Sequence, residues 1–81
     1  MAYLAGMTWD IEIDAAGLLC PLPVLKARKR LLTMTSGQVL RLVATDPAAV
    51  IDIPHFCSQS GDMLLTINED GPSRIFLIRK A

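Results

Sequence analysis

The sequence predicts an α+β fold, a two-layer α/β sandwich in the order β-α-β-α-β-β, with two helices on one face of a mixed four-stranded sheet. Strand and helix periodicities alternate along the chain, and an Asp-Gly turn separates two final apolar runs. A chain of 81 residues, 52% of them apolar, suits one small domain with an aliphatic core. Because two helices cannot cover both faces of four strands, the opposite face should be polar.

The first strand and the first helix are indicated by the spacing of apolar side chains, which changes from every second residue to every third or fourth. Residues 9–14 alternate apolar and acidic side chains, which is typical of a strand with one buried face. Pro21 and Pro23 lack a backbone donor and are tolerated where a helix begins, and Thr35-Ser36-Gly37 is expected to end this helix, with Gly37 as its left-handed residue. The residues expected to form the buried stripe of this helix are Val24, Leu25, Ala27, Leu31, Leu32 and Met34.

The second strand and second helix follow the same scheme. Residues 39–45 are rich in aliphatic and β-branched side chains, which predicts a central strand. Asp46-Pro47 then suits the start of a helix, but Pro54 lies within the helical segment. We favour a short turn at 47–51 and a regular helix from Asp52 to Ser60, with one kinked helix as the alternative.

A hairpin completes the sheet. Residues 63–69 and 73–80 are apolar runs joined across Asp70-Gly71-Pro72. Pro72 favours a loop longer than two residues. The domain should therefore span residues 8–81, whereas residues 1–7 carry no periodic pattern and are expected to be loose.

Charge and composition exclude several classes of function. Eight basic and eight acidic residues give zero formal net charge, so no global field draws the chain to nucleic acid or an anionic membrane. No window is long and apolar enough to span a bilayer, and the first residues do not resemble a signal peptide. The expected location is the cytoplasm. No cofactor and no metal are expected, because no Cys/His/Asp cluster has ligand spacing.

Cys20 is the candidate for chemistry. A thiolate at a helix N-terminus is stabilised by unpaired amides and the helix dipole, which we expect to lower the pKa of Cys20 by about one unit. The flanking prolines stiffen the turn and would present the sulfur outward. A cysteine without a neighbouring resolving cysteine suits sulfur uptake as a persulfide better than disulfide cycling. A buried structural cysteine is the alternative, since free cysteines are often buried.

The remaining candidates are weaker. Cys57 lies within a helical segment and is expected to pack in the core, and His55 is expected to be an ordinary surface histidine. Asp14 is expected to accept backbone amides in its loop, and Gly17 to permit a backbone angle that other residues avoid.

The segment from Asp14 to Pro23, with its Cys-Pro-x-Pro motif at 20–23, resembles the signature of the TusA/SirA sulfur-carrier family. The likeness extends from about Ile11 to the end of the chain. Later elements in register are Gly37, Thr45-Asp46-Pro47-Ala48, Asp52-Ile53-Pro54, Phe56-Cys57 and Leu77-Ile78-Arg79-Lys80.

The resemblance implies the same sandwich fold and a sulfurtransferase of the carrier type, in which Cys20 accepts sulfane sulfur as a persulfide. Asp14, Gly17, Pro21 and Pro23 match the motif and would support Cys20. The implied partners are a cysteine desulfurase or another persulfide donor and a downstream acceptor protein. One family member serves 2-thiolation of the tRNA wobble uridine, and relatives serve other sulfur pathways. A carrier that alternates between partners is expected to be monomeric.

A basic stretch follows the motif on the same helix, formed by Lys26, Arg28, Lys29 and Arg30. It is either a docking surface for an acidic patch on a partner or a solvated helix face. Direct RNA binding is a further alternative, which the balanced charge and the lack of aromatics for stacking disfavour. A thiol redox sensor is the third hypothesis for Cys20.

Overall fold

The structure, a computed structural model, describes residues 8–81. The elements are β1 (Ile11–Ala15), α1 (Leu22–Leu31), β2 (Val39–Ala44), α2 (Ala49–Ser60), β3 (Met63–Asp70) and β4 (Ser73–Arg79). The predicted order of helices and strands is confirmed. The expectation of a loose segment at 1–7 lies outside the described residues.

The sheet is mixed and four-stranded, as predicted, with the strand order β1-β2-β4-β3. β1 and β2 are parallel, from Ile11 opposite Leu40 to Ala15 opposite Ala44, because α1 forms the crossover between them. β4 is antiparallel to β2 and to β3. The carboxyl ends of β1 and β2 therefore lie at the same edge of the sheet, and the loops that leave them are neighbours.

Both helices pack on one face of the sheet. Side chains that point to this face alternate along β1, β2 and β4, and together with one stripe of each helix they form the core. The fully buried members are Ala15, Leu40, Leu42, Ala44, Phe76 and Ile78 from the sheet and Ala27, Leu31, Ala49 and Ile53 from the helices. The aliphatic core predicted from composition is confirmed, with Phe76 as its aromatic member.

The opposite face of the sheet is less polar than expected. Glu12 and Arg41 form an ion pair of 3.0 Å across β1 and β2, and the Arg41 guanidinium lies 4.8 Å from the centroid of the Trp9 ring. Leu77 lies on the same face but is only 2% exposed. Arg41 is its direct neighbour in β2, and long side chains of this type cover adjacent apolar surface with their stems.

The helix α1 begins as predicted but buries a narrower stripe than predicted. Pro23 occupies the first turn and is buried, in line with the tolerance of proline at that position. Leu25 and Leu32 are 48% and 69% exposed, so their assignment to the core is wrong. α1 has only ten residues and contacts the sheet through one side, so these two leucines face solvent.

The favoured start of α2 is wrong, and the continuous helix is the observed arrangement. α2 begins at Ala49 and passes through Pro54 without a break. Asp46 initiates it, because its carbonyl accepts the Ala49 amide at 3.0 Å and its carboxylate accepts the Ala48 amide at 3.3 Å. Pro54 deprives only the carbonyl of Val50 of its helical partner, and Val50 lies on the exposed side of the helix.

The hairpin between β3 and β4 is also tighter than expected. Asp70 pairs with Ser73, which leaves a two-residue loop of Gly71 and Pro72. Gly71 has φ 58°, which matches the first central position of a type II′ turn, and Pro72 then occupies the second. The prediction of a longer loop was wrong because Pro72 needs no backbone donor at that position.

Candidate functional site

Cys20 lies in the loop between β1 and α1, two residues before the helix begins, and its thiol is exposed. The buried alternative for this cysteine is therefore wrong. The peptide bond between Cys20 and Pro21 is cis. The exposed side chain of Cys20 lies at the edge of the sheet where β1 and β2 end.

The loop that carries Cys20 is held by the loop that leaves β2. The Gly17 amide donates to the Thr45 hydroxyl at 2.8 Å, and the Cys20 amide donates to the Asp46 carboxylate at 2.7 Å. Asp46 is buried and bonds the Ala48 amide with its other oxygen. These bonds link residues 28 and 26 positions apart, and they fix the backbone of Cys20 relative to the sheet.

The residues expected to support Cys20 lie between the end of β1 and the first turn of α1. The Asp14 carboxylate accepts the Ala16 amide at 3.0 Å, as expected, and Gly17 has φ 82°, a backbone angle that favours glycine. Pro21 is exposed next to the thiol, whereas Pro23 is buried under the first turn of α1. Asp14, Gly17 and the two prolines thus shape the backbone without contributing a reactive group.

The expected lowering of the Cys20 pKa is wrong, because the environment raises it. The main cause is the interaction of the thiol with the Asp52 side chain, followed by desolvation of the thiol and by the negative charges of Asp52 and Asp46, all of which favour the protonated form. Cys20 is therefore mainly a thiol, not a thiolate, at neutral pH.

A groove of about 330 Å³ opens beside the thiol, between the start of α1 and α2. Its walls are mostly apolar, with Asp52 as the one acidic group. The residues that line it are Cys20, Pro21, Val24, Asp52, His55, Phe56 and Gln59. The arrangement can seat a partner's segment against the sulfur while apolar side chains exclude water.

Asp46, Asp52 and Phe56 were not among the site residues predicted from the motif. The signal that could have indicated Asp46 is its position directly after a strand parallel to β1, because loops at the carboxyl ends of parallel strands meet. Asp52 was interpreted as a helix cap. Its role depends on α2 beginning earlier, at Ala49, which turns Asp52 toward the groove.

The basic stretch of α1 is divided between two flanks. Lys26, Lys29 and Arg30 line a cavity of about 360 Å³ together with Glu12 and Ile13 of β1 and with Thr33, which follows α1. Arg28 lies on the other flank, in a smaller cavity with Phe56 and Asp62 among its lining residues. The structure therefore brings three of the four cations together and separates the fourth.

The two other candidates have the environments expected for them. Cys57 is 5% exposed within the core, and burial, followed by the charge of Asp62, raises the pKa of its thiol to about 11. His55 is exposed. Within residues 8–81 no group of three or more His, Cys, Asp or Glu side chains is placed to hold a metal ion, and no helix has the length and apolarity needed to cross a bilayer.

We expect Asp46→Ala to destabilise the fold by about 1–3 kcal/mol, because the Cys20 and Ala48 amides lose their acceptor. It should also speed alkylation of Cys20 by iodoacetamide at pH 7, because a negative charge that raises the thiol pKa is removed. Asp62→Ala is the matched control, since Asp62 is a buried carboxylate that bonds Ser60 and the Ala81 amide. It should destabilise the fold and leave the alkylation rate unchanged; equal rates in the two variants would contradict the prediction.

Three comparisons with known proteins point to the same family. The family model described as Sulfurtransferase TusA matches residues 11–80. The chain is 49% identical over 73 residues to the sulfur carrier protein TusA of Allochromatium vinosum, covering 90% of this chain and 96% of that one. It is 41% identical over 77 residues to the sulfur carrier protein TusA of Pseudomonas entomophila, covering 95% of this chain and 96% of that one.

The fold has a counterpart among solved structures. The crystal structure of a SirA-like protein from Desulfitobacterium hafniense superposes with a TM-score of 0.78 and 24% sequence identity, covering 86% of this chain and 96% of that one. This likeness concerns the fold alone. With the family model spanning nearly the whole described chain and relatives so similar in sequence, the chain belongs to the TusA family of sulfurtransferases.

Proposed function

We propose that this protein is a sulfur carrier that accepts sulfane sulfur as a persulfide on Cys20 and relays it to an acceptor protein. Membership of the TusA family and relatives named sulfur carrier protein TusA support sulfur transfer in general. The observation that carries the assignment to Cys20 is its exposed thiol at the mouth of an apolar groove, on a loop fixed by Asp46.

The proposed transfer exchanges one sulfur–sulfur bond for another. The Cys20 sulfur attacks the terminal sulfur of a persulfide on the donor cysteine, the donor's sulfur–sulfur bond breaks, and Cys20 becomes the persulfide. The donor cysteine is left as a thiol, so no external oxidant or reductant is needed. The chain has only one other cysteine, Cys57, and its burial in the core keeps it from resolving the persulfide as a disulfide.

The proposed partners are a cysteine desulfurase, or another persulfide donor, and a downstream protein that takes the sulfur. Among the possible pathways we propose thiolation of the tRNA wobble uridine, on the resemblance of this chain to the family's tRNA-thiolation member. Such a relay operates in the cytoplasm. A carrier that presents one thiol to two partners in turn works as a monomer, which is the state we propose.

The experiment that tests the carrier role is intact-mass spectrometry after incubation with a cysteine desulfurase and cysteine. We expect the protein to gain one sulfur atom, which a thiol reductant removes. A redox sensor would instead form a sulfenate or a disulfide at Cys20 under peroxide and take up no sulfur. A protein that gains oxygen under peroxide but no sulfur from the donor would contradict the proposal.

The basic flank of α1 is the proposed docking surface. Lys26, Lys29 and Arg30 lie together on the helix that begins beside Cys20, which suits an acidic patch on a donor or acceptor. Arg28, on the opposite flank, adjoins the groove through Phe56, which lines both cavities. We propose it as a second, separate docking residue.

We expect Lys26→Glu combined with Arg30→Glu to slow sulfur acceptance about 10-fold at low salt, because the charge reversal repels an acidic partner. The effect should shrink as salt screens the charges. The measurement is the rate of sulfur loading at several ionic strengths. Arg74→Glu combined with Arg79→Glu, on the hairpin, changes the net charge equally and should load normally. If the α1 variant loads at the normal rate at every ionic strength, its cations form only a solvated face.

A further inference from the structure

Asp46 is bonded to both of the segments that flank the groove beside Cys20. One oxygen of its carboxylate accepts the Cys20 amide at 2.7 Å, and the other accepts the Ala48 amide at 3.3 Å. Its backbone carbonyl accepts the amide of Ala49, the first residue of α2, at 3.0 Å. Asp46 is only 8% exposed, so these bonds lie in the interior and not on the surface that a partner would contact. One buried residue therefore joins the loop that carries the thiol to the helix that forms the opposite wall of the groove.

A second bond, one residue earlier in the chain, joins the same two loops. The Thr45 hydroxyl accepts the Gly17 amide at 2.8 Å, and Gly17 precedes Cys20 in the thiol loop. The amides of residues 16 and 18 bond to acceptors nearby in the sequence, so they shape the loop without fixing its place in the fold. The position of the thiol relative to β2 and α2 therefore depends on Thr45 and Asp46.

We propose that Thr45 and Asp46 are positioning residues for sulfur transfer from a protein donor, because they hold the Cys20 sulfur at the mouth of the groove in which the donor's cysteine segment docks. The inference rests on the proposed carrier function and concerns the same transfer step. The Cys20 sulfur attacks the terminal sulfur of the donor persulfide, the donor's sulfur–sulfur bond breaks, and the thiol proton of Cys20 passes to the donor sulfur. Thr45 and Asp46 supply neither an atom nor a proton to this exchange; both act through the backbone of the loop.

The position of the thiol matters for a protein donor because two folded proteins meet with their surfaces already shaped. Their reacting sulfurs come within bonding distance only where the docked surfaces place them, and a displacement of about 1 Å can slow a reaction about 100-fold. A small persulfide has no such constraint, since it can approach the exposed thiol from any open direction. Loss of the two bonds should therefore slow transfer from a protein and spare transfer from a small molecule.

The test compares two sulfur donors on the same variants. Single-turnover loading is measured by intact mass at pH 7, from a saturating cysteine desulfurase that carries its persulfide and from glutathione persulfide, which is left as glutathione. The ratio of the two rates cancels any change in the reactivity of the thiol, because both donors react with the same sulfur. Both rates are measured at a temperature at which unfolding curves show every variant to be folded, so a merely structural role does not change the ratio.

Thr45→Val removes the acceptor of the Gly17 amide without changing the charge near the thiol. Loading from the desulfurase should slow about 10-fold, while loading from glutathione persulfide should stay within about 2-fold of the original rate. Thr45→Ser keeps a hydroxyl at this position and should restore desulfurase loading to within about 3-fold of the original rate.

Asp46→Ala removes the acceptor of the Cys20 amide together with a negative charge. Loading from glutathione persulfide should rise, because the charge no longer opposes ionisation of the thiol. The ratio of desulfurase loading to glutathione persulfide loading should nevertheless fall about 100-fold, because the sulfur is no longer held against the groove. Asp46 acts only through its charge if both rates rise together, and that result overturns the proposal.

Asp62→Ala is the matched control, because Asp62 is a buried carboxylate whose partners, Ser60 and the Ala81 amide, lie at the end of α2 and at the end of the chain. It should leave the ratio unchanged. A ratio that falls equally in Asp62→Ala, or that is unchanged in either Thr45→Val or Asp46→Ala, overturns the proposal. So does an effect that disappears at saturating desulfurase, since it would concern docking affinity alone. If the unaltered protein takes sulfur from neither donor, the carrier function itself fails, whereas normal loading with an unchanged ratio removes only this inference.

Discussion

Cys20→Ser is expected to take up no sulfur from a cysteine desulfurase, while the unaltered protein gains one sulfur atom. The serine side chain has nearly the same shape as that of cysteine, but its hydroxyl oxygen forms no stable bond with sulfane sulfur. The thiol is exposed and the Cys20 backbone amide still bonds Asp46, so the free energy of unfolding should change by no more than about 0.5 kcal/mol. Intact mass after incubation measures the loading, and denaturant unfolding verifies the fold.

The matched variant for this prediction is Cys57→Ala, which removes the other thiol of the chain. Cys57 is buried in the core and its raised pKa keeps it protonated, so its loss should leave sulfur loading unchanged. The variant should nevertheless be less stable, because the core loses a buried side-chain atom. Sulfur uptake by Cys20→Ser, or loss of uptake in Cys57→Ala, would contradict the assignment of the nucleophile.

The fold was largely predictable because strand and helix periods alternate cleanly along this chain. The apolar and acidic alternation before Asp14 and the proline-marked start at Pro21 define the first crossover. Two consecutive crossovers and a hairpin then leave few possible topologies. The observed strand order is one of them, and the pairing of Ile11 with Leu40 puts the apolar positions of both strands on one face.

The errors in the prediction arise where tertiary context outweighs local preference. Pro54 indicated a helix boundary, but Asp46 accepts the amides of Ala48 and Ala49, and the helix starts earlier, at Ala49. Leu25 and Leu32 fit a helical stripe, yet the sheet reaches only one side of α1. Spacing along the chain does not reveal which side of a short helix finds a partner.

The sequence was sufficient to predict the nucleophile of the site, but not the direction in which the pKa of its thiol is shifted. The position of Cys20 before α1 follows from Pro21 and Pro23, and the sequence alone then favours a lowered pKa. The carboxylates that raise it belong to Asp46 and Asp52, which follow β2 and reach the thiol only after the parallel pairing is formed. Local motifs describe the loop, whereas the charge around the sulfur is a property of the folded sheet.

We expect the largest loss of stability from Phe76→Ala, in β4 of the same sheet. Phe76 is fully buried in β4, between Leu42 of β2 and Ile67 of β3, and it is the aromatic side chain of the core. Its removal leaves a cavity under the helices and should cost about 3–5 kcal/mol. A domain of this length is expected to have a free energy of unfolding of roughly 4–12 kcal/mol, so the variant loses a large share of it.

Ile75→Ala is the control for this prediction, because Ile75 is the adjacent residue of β4 and lies half-buried on the opposite face. It should cost less than half as much in urea unfolding at the same pH. Sulfur loading by Phe76→Ala should fall as the temperature approaches the unfolding midpoint of the variant and return on cooling. The substitution leaves the thiol unchanged, and the loop anchored on β1 and β2 loses its structure only when the sheet unfolds. Equal costs for the two alanine variants would mean that the core does not lie between the sheet and its helices.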